Sequence, residues 1–101
     1  MIMPEFVTIQ GLNPTAYESI TVADTAIGLT AATHLKAQHA IITVETAQIR
    51  VRFDGTNPTS SEGHIAEVGD IIHLNSGSQM TKFKAIRTGA TSGVLKATYF
   101  F

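Results

Sequence analysis

Hydrophobic residues in this chain come in short bursts, each closed within a few positions by Gly, Pro, Asn, Asp or Ser. The clearest is Ile49–Phe53, where Ile49, Val51 and Phe53 alternate with Arg50 and Arg52. Successive strand side chains point to opposite faces, so this period of two predicts a half-buried strand. Its inner face is apolar and its outer face basic. Ile41–Glu45 sets Ile41, Ile42 and Val44 close together, the pattern of a strand covered on both faces. In Val94–Phe100, Leu95, Ala97 and Tyr99 share one face, with Phe101 continuing it, and Val94, Lys96, Thr98 and Phe100 share the other. Phe6–Gln10, Ser19–Val22, Ala26–Leu29, Ile71–Leu74 and Phe83–Ile86 read as further short strands. Between Leu29 and Ile41 the helix formers Ala31, Ala32, Leu35, Lys36 and Ala37 suit one helical turn within Thr30–Ala40.

The breaks are equally regular. Gly11–Thr15 contains Pro14, which lacks a donor and forces its predecessor out of helix. Asp54-Gly55 and Val68-Gly69-Asp70 are turns, Thr56–Gly63 is a polar loop, and residues 88–93 form a small-residue hairpin loop. Gly-x-Asn-Pro-Thr occurs at 11–15 and again at 55–59, with unlike flanks, and is read as two independent turns. Seven or eight strands at such spacing, without long helical crossovers, predict an all-β fold: an antiparallel β-sandwich or jelly roll. The expected core is Ile42, Val44, Ile49, Val51, Phe53, Ile72, Leu74, Phe83, Leu95, Ala97 and Tyr99. Residues 16–101 form one domain, and residues 1–15 are a candidate N-terminal arm. Ile86 alone breaks the alternation, falling with Lys82 and Lys84, which calls for a bulge or for cover by another subunit.

Composition narrows the function. The chain of 101 residues is 44% hydrophobic and only 15% charged, well below the roughly 25% charged of an average soluble domain. Its net charge is −1, so nothing draws it as a whole to nucleic acid or to an anionic membrane. Residues 1–49 carry Lys36 against Glu5, Glu18, Asp24 and Glu45; residues 50–101 carry a modest basic excess, an asymmetry that suits head-to-tail packing between copies. Cysteine is absent, which rules out a thiol nucleophile and any Cys-ligated metal or cluster. The opening MIMPEFVTIQ has neither the basic start nor the apolar run of a signal peptide, and no apolar stretch reaches bilayer length. Folding in the cytoplasm is expected.

No catalytic constellation is visible. The histidines His34, His39, His64 and His73 lack zinc-motif spacing. Asp54, Asn57, Ser60 and Glu62 set oxygen ligands in one loop, but their spacing is not that of an EF-hand and Pro58 interrupts it. No Ser or Thr lies in a nucleophile elbow, and Asp54, Glu62, Glu67 and Asp70 all fall on turns. Arg50, Arg52, Lys82 and Lys84 make a positive stripe if their strands adjoin, yet no interleaved aromatics accompany them for base stacking. The chain is read as a structural or binding module and not an enzyme, with no catalytic, cofactor or metal residues.

Two segments resemble known families. IRVRFDGTNPTSSEGH, residues 49–64, resembles the immunoglobulin-like accessory modules of some sugar-degrading enzymes. Over residues 20–101, ITVADTAIGLTAATH, AIITVETAQIRVRFDGT, GHIAEVGDIIHL and FKAIRTGATSGVLKATYFF resemble small Thr/Ala/Gly-rich virion proteins of tailed bacteriophages. That second resemblance implies a capsid decoration (cement) protein, or a tail or adaptor component, assembled in the host cytoplasm. It implies as partners the major capsid protein or other virion proteins, and further copies of the chain, with a trimer first among the oligomers. The first resemblance implies instead a carbohydrate-binding or adhesion module.

Overall fold

A computed structural model describes residues 11–34 and 36–101. The elements run β1 (Pro14–Val22), β2 (Ile27–Gly28), α1 (Ala31–His34), β3 (His39–Glu45), β4 (Ile49–Arg52), β5 (His64–Ala66), β6 (Ile71–Leu74), α2 (Gly77–Lys82), β7 (Lys84–Arg87) and β8 (Gly93–Phe100). They form two four-stranded sheets, ordered β1-β8-β3-β6 and β2-β7-β4-β5, with every described pairing antiparallel. The pairs β1/β8, β2/β7, β3/β6 and β4/β5 are those of one long hairpin folded across itself. That winding is a jelly roll.

Between the sheets lies the core. Val22, Ile42, Val44, Ile49, Leu74, Leu95 and Tyr99 are buried almost completely, and so are Met80 and Phe83 from the α2 segment. Burying one such side chain is worth roughly 1.5–3 kcal/mol. Nine of the eleven expected core positions are buried. Ile72, on edge strand β6, is half-buried. Phe53 is a correction: it is 43% exposed, because β4 ends at Arg52 and the chain turns outward there. Its ring lies against Phe83 and His64, both at 5.9 Å between centroids.

The register settles the position of Ile86. β7 runs beside β4 without a shift, Arg50 opposite Ile86 and Val51 opposite Ala85. There is no bulge at Ile86, which stands half-buried on the outer face beside Arg50. Of the candidate arm, residues 1–10, with the strand expected at Phe6–Gln10, lie outside the described residues. Asn13 exchanges two backbone bonds with Phe101, at 2.9 and 3.2 Å, and β1 starts at Pro14. Proline at the first residue of an edge strand removes no needed donor. A register irregularity follows between Pro14 and Ala16.

All connections of one kind gather at one end. Residues 23–26, 46–48, 67–70 and 88–92 make short turns, linked by Val44 N–H to Asp70 O at 3.0 Å, Gly69 N–H to Val44 O at 2.8 Å and Arg87 N–H to Ala23 O at 3.0 Å. Residues 29–38, 53–63 and 75–83 make the long connections of the other end, and both helices lie in them.

Candidate functional site

One concavity lies at the long-loop end. Arg52, Phe53, Asp54, Glu62, Gly63 and His64 line an open hollow of about 500 Å³. β4 and β5 bring its two walls together, and the loop between them closes it. Arg50 holds that loop, donating from Nε to Ser60 O at 3.1 Å and from Nη1 to Gly63 O at 2.8 Å. Thr59 Oγ1 accepts from Ser61 N–H and Glu62 N–H, at 3.3 and 2.9 Å. Pro58 is buried beneath the loop. Gly63 has φ +128°, and a Cβ there would stand 3.0 Å from Val51 O. Only glycine suits that backbone and that space.

Charge in the hollow is largely paired. Arg52 donates to Asp54 twice, at 3.1 Å from Nε and 2.5 Å from Nη2. The Thr56 N–H adds a third bond to Asp54. The guanidinium first, and that N–H second, hold the Asp54 carboxyl down at about 2. An oxygen-ligand loop at Asp54, Asn57, Ser60 and Glu62 therefore has its first carboxylate and its Ser60 carbonyl occupied by arginines. Among the described residues no three His, Asp or Glu side chains cluster to hold a metal. Glu67 and Asp70 are at the opposite end of the roll, apart from Asp54 and Glu62.

β4 and β7 do adjoin, so Arg50, Arg52 and Lys84 share the outer face of their sheet. Lys82 is not on it, since it ends α2. Two of the three cations are committed, Arg50 to the loop carbonyls and Arg52 to Asp54. Phe83 is fully buried and offers no stacking surface.

Two polar ties at this end escape sequence reasoning. Tyr99, buried in the core, donates its hydroxyl to Glu18 Oε2, which also accepts from Thr30 N–H at 3.2 Å. Burial, then the Glu18 carboxylate, pushes the phenol well above its ordinary value. The tie anchors the start of the α1 segment to both strands of the β1/β8 pair. The second is between His39 and His73, whose Nε2 and Nδ1 stand 3.2 Å apart on the outer face of the first sheet. A smaller hollow adjoins it, lined by Gln38, His39, Asn75 and Ser76 among others. His34 is buried near Tyr99, with ring centroids 6.1 Å apart, and His64 sits by Phe53. Thus the four histidines are spread over the long-loop end, and only two meet.

Charge also separates along the roll. Asp24, Glu45, Glu67 and Asp70 surround the short turns, with Arg87 among them, and all four carboxylates belong to exposed residues. Lys36, Arg50, Arg52, Lys82 and Lys84 lie toward the long connections, against Glu18, Asp54 and Glu62, and Lys96 stands between the ends. Set against known proteins, the chain matches no family profile, no curated protein and no solved structure.

Proposed function

We propose that this chain is a non-enzymatic structural component of a tailed-phage virion, acting as a capsid decoration protein that binds the head lattice in many copies. The observation that carries the reading is a jelly roll with an acidic short-loop end and a more basic long-loop end. Opposite charge at opposite ends suits head-to-tail contact between copies, or contact with a repeating lattice. Weak contacts repeated by symmetry add up, so neither a deep pocket nor a large net charge is required. The resemblance of residues 20–101 to small virion proteins points the same way, and jelly rolls recur among capsid domains, though by analogy of fold alone.

The test is quantitative mass spectrometry of purified particles, joined to sedimentation of the isolated protein at low and high salt. The expected result is a fixed ratio to the major capsid protein and self-association that weakens as salt screens the ends. Absence from particles overturns the reading.

A second reading rests on Phe53. An exposed ring beside Glu62 and His64, at the mouth of the hollow, is what a carbohydrate-binding module uses to stack and hydrogen-bond a sugar. A glycan array with wild type and Phe53→Ala decides it: sugar binding that the substitution removes without changing the fold supports this reading.

A further inference from the structure

Strand register determines where two distant histidines meet. Ala40 is opposite Leu74 and Ile41 opposite His73, which puts His39 one diagonal step from His73 on the same outer face. Diagonal neighbours in an antiparallel ladder are within reach of ring side chains. The facing nitrogens are 3.2 Å apart and the ring centroids 5.4 Å. The excess of the second distance over the first is close to the sum of the two ring radii. The nitrogens therefore face each other along the line joining the rings, as in a single N–H···N bond.

Such a contact holds one proton. One ring donates and the other accepts with its lone pair. A first added proton charges one ring and leaves the other free to accept; a second puts an N–H on both facing nitrogens, so that two positive charges stand head to head. Little water is available to relieve them at His39, which is 7% exposed and covered edge-on by Phe100 at 5.8 Å. Among the described residues, the other side chains facing the pair carry no charge: Phe100 from β8, Asn75 beyond β6, and Gln38 and Ser76 along the adjoining hollow. Burial first and His73 second hold the His39 imidazole below its ordinary value of 6.5, with an opposing hydrogen bond from Asn75.

We propose that His39 and His73 form an acid-sensitive latch, which fixes the end of β6 and the segment entering α2 against β3. The latch is closed while one ring stays neutral and opens when both are charged. β6 can yield locally, because among the described residues it has β3 as its one partner strand. Beyond it, Ser76 caps α2, so movement at Asn75 is transmitted to the start of that helix. A histidine with a depressed pKa contributes stability that is complete above 6.5 and is lost as the pH falls below it. The opening therefore lies on the acid side of neutrality.

Hydrogen exchange of the full chain tests this. Between pH 7 and pH 5, protection of residues 39–41 and 72–75, corrected for intrinsic rates, is expected to drop about tenfold. Protection in the β1/β8 ladder should change much less. His73→Gln and His39→Gln keep a neutral hydrogen-bonding group and should each remove most of the acid loss. Proton titration of the two rings in the wild-type protein supplies a readout independent of any variant's folding: coupled titration of the pair is expected. An acid loss of equal size in wild type and variants, no loss in wild type, or two rings titrating independently overturns the latch.

Discussion

At the short-loop end main-chain bonds share the holding with a few polar side chains. Main-chain bonds tie Val44 to Gly69 and Asp70, a Gln48–Glu67 side-chain bond joins turns 46–48 and 67–70, and Gly93 lets β8 pass so close to β4 that a Cβ would stand 2.5 Å from Ile49 Cγ2. At the long-loop end side chains do the holding: Arg50 grips a loop, Glu18 receives Tyr99, His39 meets His73, and Ser76 caps α2. Both hollows near these ties lie there. The two ends thus differ in how their connections are held. Backbone turns tolerate little change but offer little chemistry, whereas side-chain ties can be altered singly without unwinding the sheets.

The largest effect should come from the core that joins the ends. Val51→Asp buries an unpaired carboxylate at a position 2% exposed, at a cost of several kcal/mol, of the order of ~3–5. Phe53→Ala, two residues on and largely outside the core, should cost less than about 1 kcal/mol. Chemical denaturation of both compares them directly, and equal losses would mean that Phe53 is a core residue after all. Gly93→Ala comes next, at about 1–3 kcal/mol from overpacking against Ile49. Arg50→Ala should cost about 1–2 kcal/mol through the released Ser60 and Gly63 carbonyls. Its sharper signature is faster proteolysis within residues 53–63 while the short turns stay resistant.

Two smaller effects refine the comparison. Thr46 has φ +77°, and Glu45 O accepts from Ala47 N–H at 2.9 Å across it, the pattern of a strained γ-turn. A β-branched residue is poorly suited to positive φ. Thr46→Gly should therefore raise the melting temperature slightly, by ~1 kcal/mol or less of stability. Acid titration separates two steps of the same sign by their pH windows. Asp54 has a depressed pKa, so its contribution is present above 3.8 and is lost as the pH falls toward about 2. The His39 contribution disappears earlier, below 6.5. Asp54→Asn should erase the lower step alone, as read from urea midpoints across the pH range.

The short end was readable from residue order because turn chemistry is local. Val68-Gly69-Asp70 and the small residues at 88–92 lie where the turns are, and the alternation in β4 and β8 placed their inner faces correctly. Long-end features depend on partners far along the chain. Alternation runs on through Phe53, but nothing in that period marks the strand's end at Arg52. β5 is too short to show a period. α2 did leave a trace, since Ser76 and Gln79 stand at capping-box spacing and the Ser76 hydroxyl accepts from Gln79 N–H. The meeting of His39 with His73 required the β3–β6 register, which no local pattern contains.

The nested pairing of the strands also prescribes an order of assembly. β4 and β5 are separated by one loop, whereas β1 and β8 join Pro14 to Phe100 across nearly the whole chain. Closing a longer loop costs more chain entropy unless inner pairs have already shortened it. The roll should therefore zip outward, β4/β5 and β3/β6 before β1/β8, with the Arg50-held loop as its seed. A topology so rich in distant contacts folds in milliseconds to seconds rather than microseconds. Loosening the 53–63 loop should accordingly slow folding, whereas a lesion in the last-formed β1/β8 ladder should speed unfolding and leave the folding rate nearly unchanged.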